Sequence, residues 1–108
     1  MLYSYSNRPE GHKWTDEEKE KRRKRNRLAK DIGVVVFAEL KRNPNLSWEQ
    51  LESYTGTDVR RLVRNSSPTM TLEEVIDIAE FFQIPVDRLL HPVEDDRLIF
   101  TLLDKREL

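Results

Sequence analysis

The stretch TGTDVRRLVRN, residues 55–65, places three arginines within five positions, Arg60, Arg61 and Arg64. Arg60 and Arg64 are spaced i, i+4 and would share one face of a helix. The apolar residues between and before them have the spacing of a core-facing side. A guanidinium group is planar and can hold a phosphate or bind guanine through two parallel hydrogen bonds. The pattern predicts a helix that is anchored by its apolar side and binds a polyanion.

These arginines also have a plainer interpretation, as a solvated face or as partners of Glu49 and Glu52. The distribution of charge bears on the choice. Residues 19–64 hold thirteen bases and six acids, whereas residues 65–108 hold four bases and ten acids, although the net charge of the 108-residue chain is only −1. A basic segment ahead of an acidic one indicates a separate face for a polyanion.

The elements that must position the arginines are marked by helix-capping patterns. Thr15, Ser47 and Thr71 each precede a Glu or Gln by three positions, which is the capping box of a helix start. Gly56 suits a tight turn, and Asp58 suits the N-cap of a helix over residues 59–65. No run before residue 97 is typical of a strand. The predicted class is all-α, with about five short helices from residue 28 to 91 and a possible break near the weak helix former Gly33.

The chain divides by composition into four parts. Residues 1–13 are predicted to be a disordered tail, 14–31 a basic helical arm, 32–92 a helix-turn-helix domain and 93–108 a short apolar tail. The last part suits a helix or a strand. Its large apolar residues either fold back on the core or form a homodimer contact; they are Leu98, Ile99, Leu102 and Leu103.

Residues 33–90 resemble the helix-turn-helix family of phage repressors and Cro-type regulators. The resemblance is carried by Leu46, Ser47, Leu51, Gly56 and Leu62 and by TLEEVIDIAEFFQIPVDRLL, residues 71–90. It implies a five-helix fold whose third helix lies in the major groove of DNA. That recognition helix falls on residues 59–65.

The resemblance also implies roles for individual residues. Arg60 and Arg64 are predicted to contact bases, and Val59 to contact a thymine methyl group if it is not buried. Trp48 stands where the family often has a phosphate-binding glutamine, and either donates to a phosphate or packs against the core edge. The other predicted phosphate contacts are Arg61, Ser66, Ser67 and Thr69. The three hydroxyl residues could instead cap neighbouring helices, and the loop they form is about two residues shorter than the family's.

The basic arm has two interpretations, a solvated helix or an arm that crosses phosphates or enters the minor groove. Its position next to a basic recognition helix favours DNA contact. The predicted arm residues are Lys21, Arg22, Arg23, Lys24, Arg25 and Arg27.

No catalytic pattern accompanies these features. There are no cysteines, His12 and His91 share no helical face, and neither a phosphate loop nor metal-ligand spacing is present. An acidic face formed by Glu73, Glu74, Asp77 and Glu80 is expected to face solvent. We therefore expect a cytoplasmic, sequence-specific binder of double-stranded DNA that regulates transcription, without enzymatic activity, cofactor, metal, small-molecule ligand or membrane span. The alternative is a protein-interaction module, such as an antitoxin or adaptor, that uses its acidic C-terminal half.

Overall fold

The structure, a computed structural model, describes residues 14–107, with side chains through residue 103, and this part of the chain forms six helices and no strand. The predicted tail at 1–13 lies outside the described residues. The helices are α1 (Asp16–Arg42), α2 (Trp48–Thr55), α3 (Arg61–Arg64), α4 (Leu72–Phe82), α5 (Val86–Leu90) and α6 (Glu94–Glu107). The all-α prediction is confirmed, with six helices in place of five. Within the described residues, no helix is both long and apolar enough to cross a membrane.

Three helices begin where the capping patterns predicted. The side chains of Thr15, Ser47 and Thr71 each accept a hydrogen bond from the backbone N–H three positions on, and the residue there accepts one in return. Each box satisfies two N–H groups that the first helical turn would otherwise leave without a partner. The starts of α1, α2 and α4 are therefore determined locally.

The first helix runs without a break through Gly33, so the basic arm and the first core helix are one element of 27 residues, about 40 Å long. Gly33 is buried for a packing reason. A Cβ atom built on it would lie 3.0 Å from the Cβ of Leu62 and 3.1 Å from the Leu62 carbonyl oxygen. Gly33 therefore lets α1 approach α3 closely, and the possible break predicted there does not occur.

The core lies between α1, which contacts α3, α5 and α6, and α4, which contacts α2 and α5. Leu28 and Leu72 are helically spaced with core residues of α1 and α4, yet their exposed fractions are 44% and 74%. The side chains with the least exposure in the main core cluster are Ile32, Val35, Val36, Leu51, Val59, Leu62, Ile78 and Leu89, and Phe37 and Ala38 are equally buried outside it.

The apolar tail is a helix, and it folds back along α1. Phe100 meets Phe37 edge-on, with ring centroids 5.4 Å apart. Asp96 is fully buried and accepts a hydrogen bond from Arg88 at 2.9 Å. It also forms ion pairs with Arg42 and Arg88, at N–O distances of 2.6 and 2.8 Å. A buried carboxylate requires such partners, so this cluster ties α6 to α1 and α5.

Folding back divides the four residues predicted for a homodimer contact. Ile99 and Leu103 are half-buried. Leu98 and Leu102 keep exposed fractions of 55% and 62%. Only the second pair is left on the surface of the described chain.

Replacing Gly33 by leucine should lower the free energy of unfolding by about 1–3 kcal/mol, the usual cost of overpacking a core. The added side chain would have to displace the α3 backbone at Leu62. Urea unfolding followed by circular dichroism measures the change. Lys30→Leu, which adds the same side chain at an exposed position of α1, should change stability by less than about 0.5 kcal/mol. Equal losses in the two variants would contradict the packing role of Gly33.

Candidate nucleic-acid interface

The turn between α2 and α3 contains the predicted left-handed glycine. Gly56 has φ of 74° and its N–H donates to the Glu52 carbonyl oxygen at 2.8 Å. The predicted helix over 59–65 is wrong in extent, because α3 covers only four residues. Asp58 is not its cap. Its carboxylate accepts from the Arg64 guanidinium at 2.9 and 3.0 Å and is not bonded to the helix N–H groups.

Arg60 is held against the second helix. Its Nη2 lies 2.7 Å from Glu52 Oε1, its Nε lies 3.3 Å from Oε2, and its backbone N–H donates to Oε2 at 3.1 Å. Glu49 lies 3.5 Å away. The pairing with these two acids, considered from the sequence as the alternative to DNA contact, is therefore present. Arg60 still has 32% of its side chain exposed.

Arg61 braces α3 against the following loop and α4. Its Nη2 donates to Glu74 Oε1 at 2.6 Å and to the Thr69 carbonyl at 2.8 Å, and its Nη1 donates to the Asp58 carbonyl at 2.8 Å. With only 22% of the side chain exposed, the guanidinium is engaged within the protein. In this arrangement it positions α3, and the phosphate contact predicted for it would require these bonds to break.

Arg64 is the most exposed of the three arginines, at 48% of its side chain. Its partner Asp58 is 58% exposed. An ion pair so open to water contributes at most about 1 kcal/mol. A phosphate or a guanine edge could replace this carboxylate at little cost.

The other predicted contact residues fall in different surroundings. Val59 is fully buried, so the condition for its contact with a thymine methyl group is not met. Trp48 is half-buried and packs against the core, which is the second of its two interpretations. The predicted loop donors, by contrast, are all exposed; they are Ser66, Ser67 and Thr69.

Glu74 does not lie where the sequence pattern predicts. It was assigned to a solvent-facing acidic side, and that is wrong because only 6% of it is exposed. It accepts from Arg61, from the Thr57 hydroxyl at 2.8 Å and from the Thr71 N–H at 3.1 Å. Burial would raise the pKa of Glu74, but the hydrogen bonds from Arg61, Thr71 and Thr57 outweigh it and hold the pKa below its ordinary value. The capping box alone was visible in the sequence.

The basic half of α1 carries both paired and unpaired cations. Lys21 lies 3.4 Å from Glu17, and Arg23 lies 3.4 Å from Glu20. Arg22 stacks over the ring of Trp14 at 6.0 Å. Of the six predicted arm residues, the exposed cations that have no ion pair within the described residues are Lys24, Arg25 and Arg27.

Two recesses lie beside the basic half of α1. One, of about 610 Å³, is lined by Arg22 and Arg25 together with Ser67 and Thr69 of the loop. We call it the α1–α4 groove, because the start of α4 forms its other side. The second, of about 570 Å³, is lined by Arg27 and Lys30 of α1, Val63 of α3, and α6.

Comparison of the chain with models of protein families, with curated proteins and with solved structures finds no match in any of the three. The resemblance to repressors and Cro-type regulators therefore stays a prediction from the residues.

Replacing Glu74 by glutamine should lower the free energy of unfolding at pH 7 by about 1–3 kcal/mol, the cost of weakening a buried hydrogen-bonded charge. The variant should also lose less of its free energy of unfolding than the natural chain does as the pH is lowered. The folded-state pKa of Glu74 lies below the unfolded value of about 4.3. Its contribution is therefore complete above that value and disappears as the pH falls through the folded pKa. Urea unfolding at a series of pH values measures both effects.

The matched control is Glu73→Gln on the neighbouring, exposed acid of α4. It should leave stability within about 0.5 kcal/mol of the natural chain and preserve the acid profile. An unchanged acid profile in Glu74→Gln would mean that the carboxylate does not act as described.

Proposed function

We propose that this chain binds double-stranded DNA sequence-specifically and acts as a small transcriptional regulator of the repressor or Cro type. The observation that carries the proposal is the second recess, in which Arg27 and Lys30 of α1 lie beside Val63, one residue from Arg64. Cations of α1 thus lie beside α3, although more than thirty residues separate them from it in sequence. The close contact of Gly33 with Leu62 holds the two helices together.

The basic arm would supply the sequence-independent part of the affinity. Exposed cations that replace the counterions of phosphates give an attraction that weakens as salt rises. The loop hydroxyls of Ser66, Ser67 and Thr69 would add hydrogen bonds to the backbone of the duplex. This part of the interface would orient the domain without reading the sequence.

Arg64 is the best placed of the arginines to read a base. Its only described partner is the exposed Asp58, which a guanine O6 and N7 edge could replace. Arg60 is a second reader, since Glu52 fixes its guanidinium while part of the side chain stays open. Arg61 would act indirectly by holding α3 in place. The bound protein would alter transcription by blocking or recruiting polymerase, with no catalytic step and no cofactor.

A protein-interaction role, as in an antitoxin or adaptor, is the second candidate. It is favoured by the internal pairing of Arg60 and Arg61 with Glu52 and Glu74, because that pairing gives both arginines a purpose without DNA. Selection of bound sequences from random duplex DNA at about 0.15 M salt, where non-specific attraction is weakened, separates the two. An enriched sequence supports the regulator, and recovery of random sequences rejects it.

Arg64→Ala should weaken binding to the selected sequence by about 1–3 kcal/mol and relax the preference at one base position. Arg64→Lys is the matched variant. It keeps the charge and cannot form the bidentate contact, so it should regain affinity for phosphate but not base preference. Fluorescence anisotropy with the selected duplex and single-base variants measures both. Unchanged affinity and preference in Arg64→Ala would remove this residue from the interface.

The double variant Lys24→Gln/Arg27→Gln should show a shallower slope of log affinity against log salt concentration, by about 1–2. The reason is that each lost phosphate contact reduces the magnitude of this slope by about 0.9. The base preference should be unchanged. Lys41→Gln, at the opposite end of α1, is the control and should leave the slope as it is. An unchanged salt dependence in the double variant would show that these two cations do not contact phosphates.

A further inference from the structure

The α1–α4 groove has an apolar interior that no described part of the chain covers. It lies where the N-terminal half of α1 passes over the loop and the start of α4. Leu28 and Leu72 line it and are 44% and 74% exposed, and Met70 and Val75 lie beside them. Apolar surface gathered in a concave site is characteristic of a contact surface.

The charge of this groove is positive. Arg22 and Arg25 line it, and no carboxylate does. Arg25 is exposed and forms no ion pair within the described residues. An occupant that matches the groove must therefore combine apolar side chains with a negative charge.

The outer face of α6 has this combination. Asp95, Leu98 and Leu102 are spaced i, i+3, i+7 and lie along one stripe of the helix. All three are exposed, the two leucines at 55% and 62%. The stripe spans about 10 Å. Because Asp96 and Phe100 hold the opposite side of α6 against α1, the stripe is presented rigidly.

We propose that the outer face of α6 from one copy of this chain packs into the α1–α4 groove of a second copy. Asp95 would lie near Arg25, and Leu98 and Leu102 would cover Leu28 and Leu72. Pairing of α6 with α6 is the simpler alternative, but it would bring together only two leucines from each helix and leave Arg25 without a partner. When each of two copies uses both of its faces on the other, the contact closes into a dimer. When the two faces of one copy contact different copies, the contact extends into an open filament of subunits.

The proposal is independent of DNA binding, and its test needs no DNA. Sedimentation equilibrium of the full chain over a range of concentrations measures the self-association constant. Arg25→Asp and Asp95→Arg should each weaken association at least about tenfold, because each places like charges together. The chain that carries both changes should recover most of that loss. Lys24→Asp makes the same charge change on another face of α1 and should have no effect.

Two leucine variants separate the modes of contact. Leu98→Ser should weaken association in the proposed mode and in α6–α6 pairing, whereas Leu72→Ser should do so only in the proposed mode. Both side chains are exposed, so the fold should persist, and thermal unfolding checks this. A monomer at every concentration, association that ignores Leu72→Ser and Arg25→Asp, or a double charge variant that fails to recover would overturn the proposal. Loss of DNA binding with association intact would reject the proposed function alone.

Discussion

The ion pair between Glu74 and Arg61 is the interaction on which the candidate interface depends. A carboxylate with 6% exposure is stable only when its oxygens are hydrogen-bonded and its charge is paired. Glu74 obtains its donors from the turn at Thr57, from α3 at Arg61 and from its own cap at Thr71. Arg61 in turn holds the Thr69 carbonyl. One buried charge therefore fixes the turn, the short helix and the loop with respect to α4.

The first helix extends this arrangement to the rest of the molecule. Gly33 lets its backbone come close to Leu62, so the axis of α1 is set directly by α3. The same helix carries the arm cations at one end and reaches the buried Asp96 cluster through Arg42 at the other. An exposed basic segment, the short helix α3 and a folded-back C-terminal helix are thereby joined through one continuous element.

Much of the secondary structure could be predicted, and much of the interface could not. The helix starts at Thr15, Ser47 and Thr71 were correct because a capping box is a contact between residues three apart. The predicted length of α3 was wrong. Aspartate is a common N-cap residue, but Asp58 pairs with Arg64 instead of capping the helix. Glu74 was wrongly expected to face solvent, because its burial comes from a loop and an arginine thirteen residues away.

By itself, the sequence determined the all-α class, the capped helix starts and the left-handed turn at Gly56, because each depends on backbone preferences and on neighbours within one helical turn. Only the tertiary structure decided which arginines are available. Arg60 and Arg61 are engaged by Glu52 and Glu74, which lie eight and thirteen residues from them, and Arg64 is left beside an exposed acid. Ion pairs of this kind form where helices pack together, and their partners have no fixed spacing along the chain.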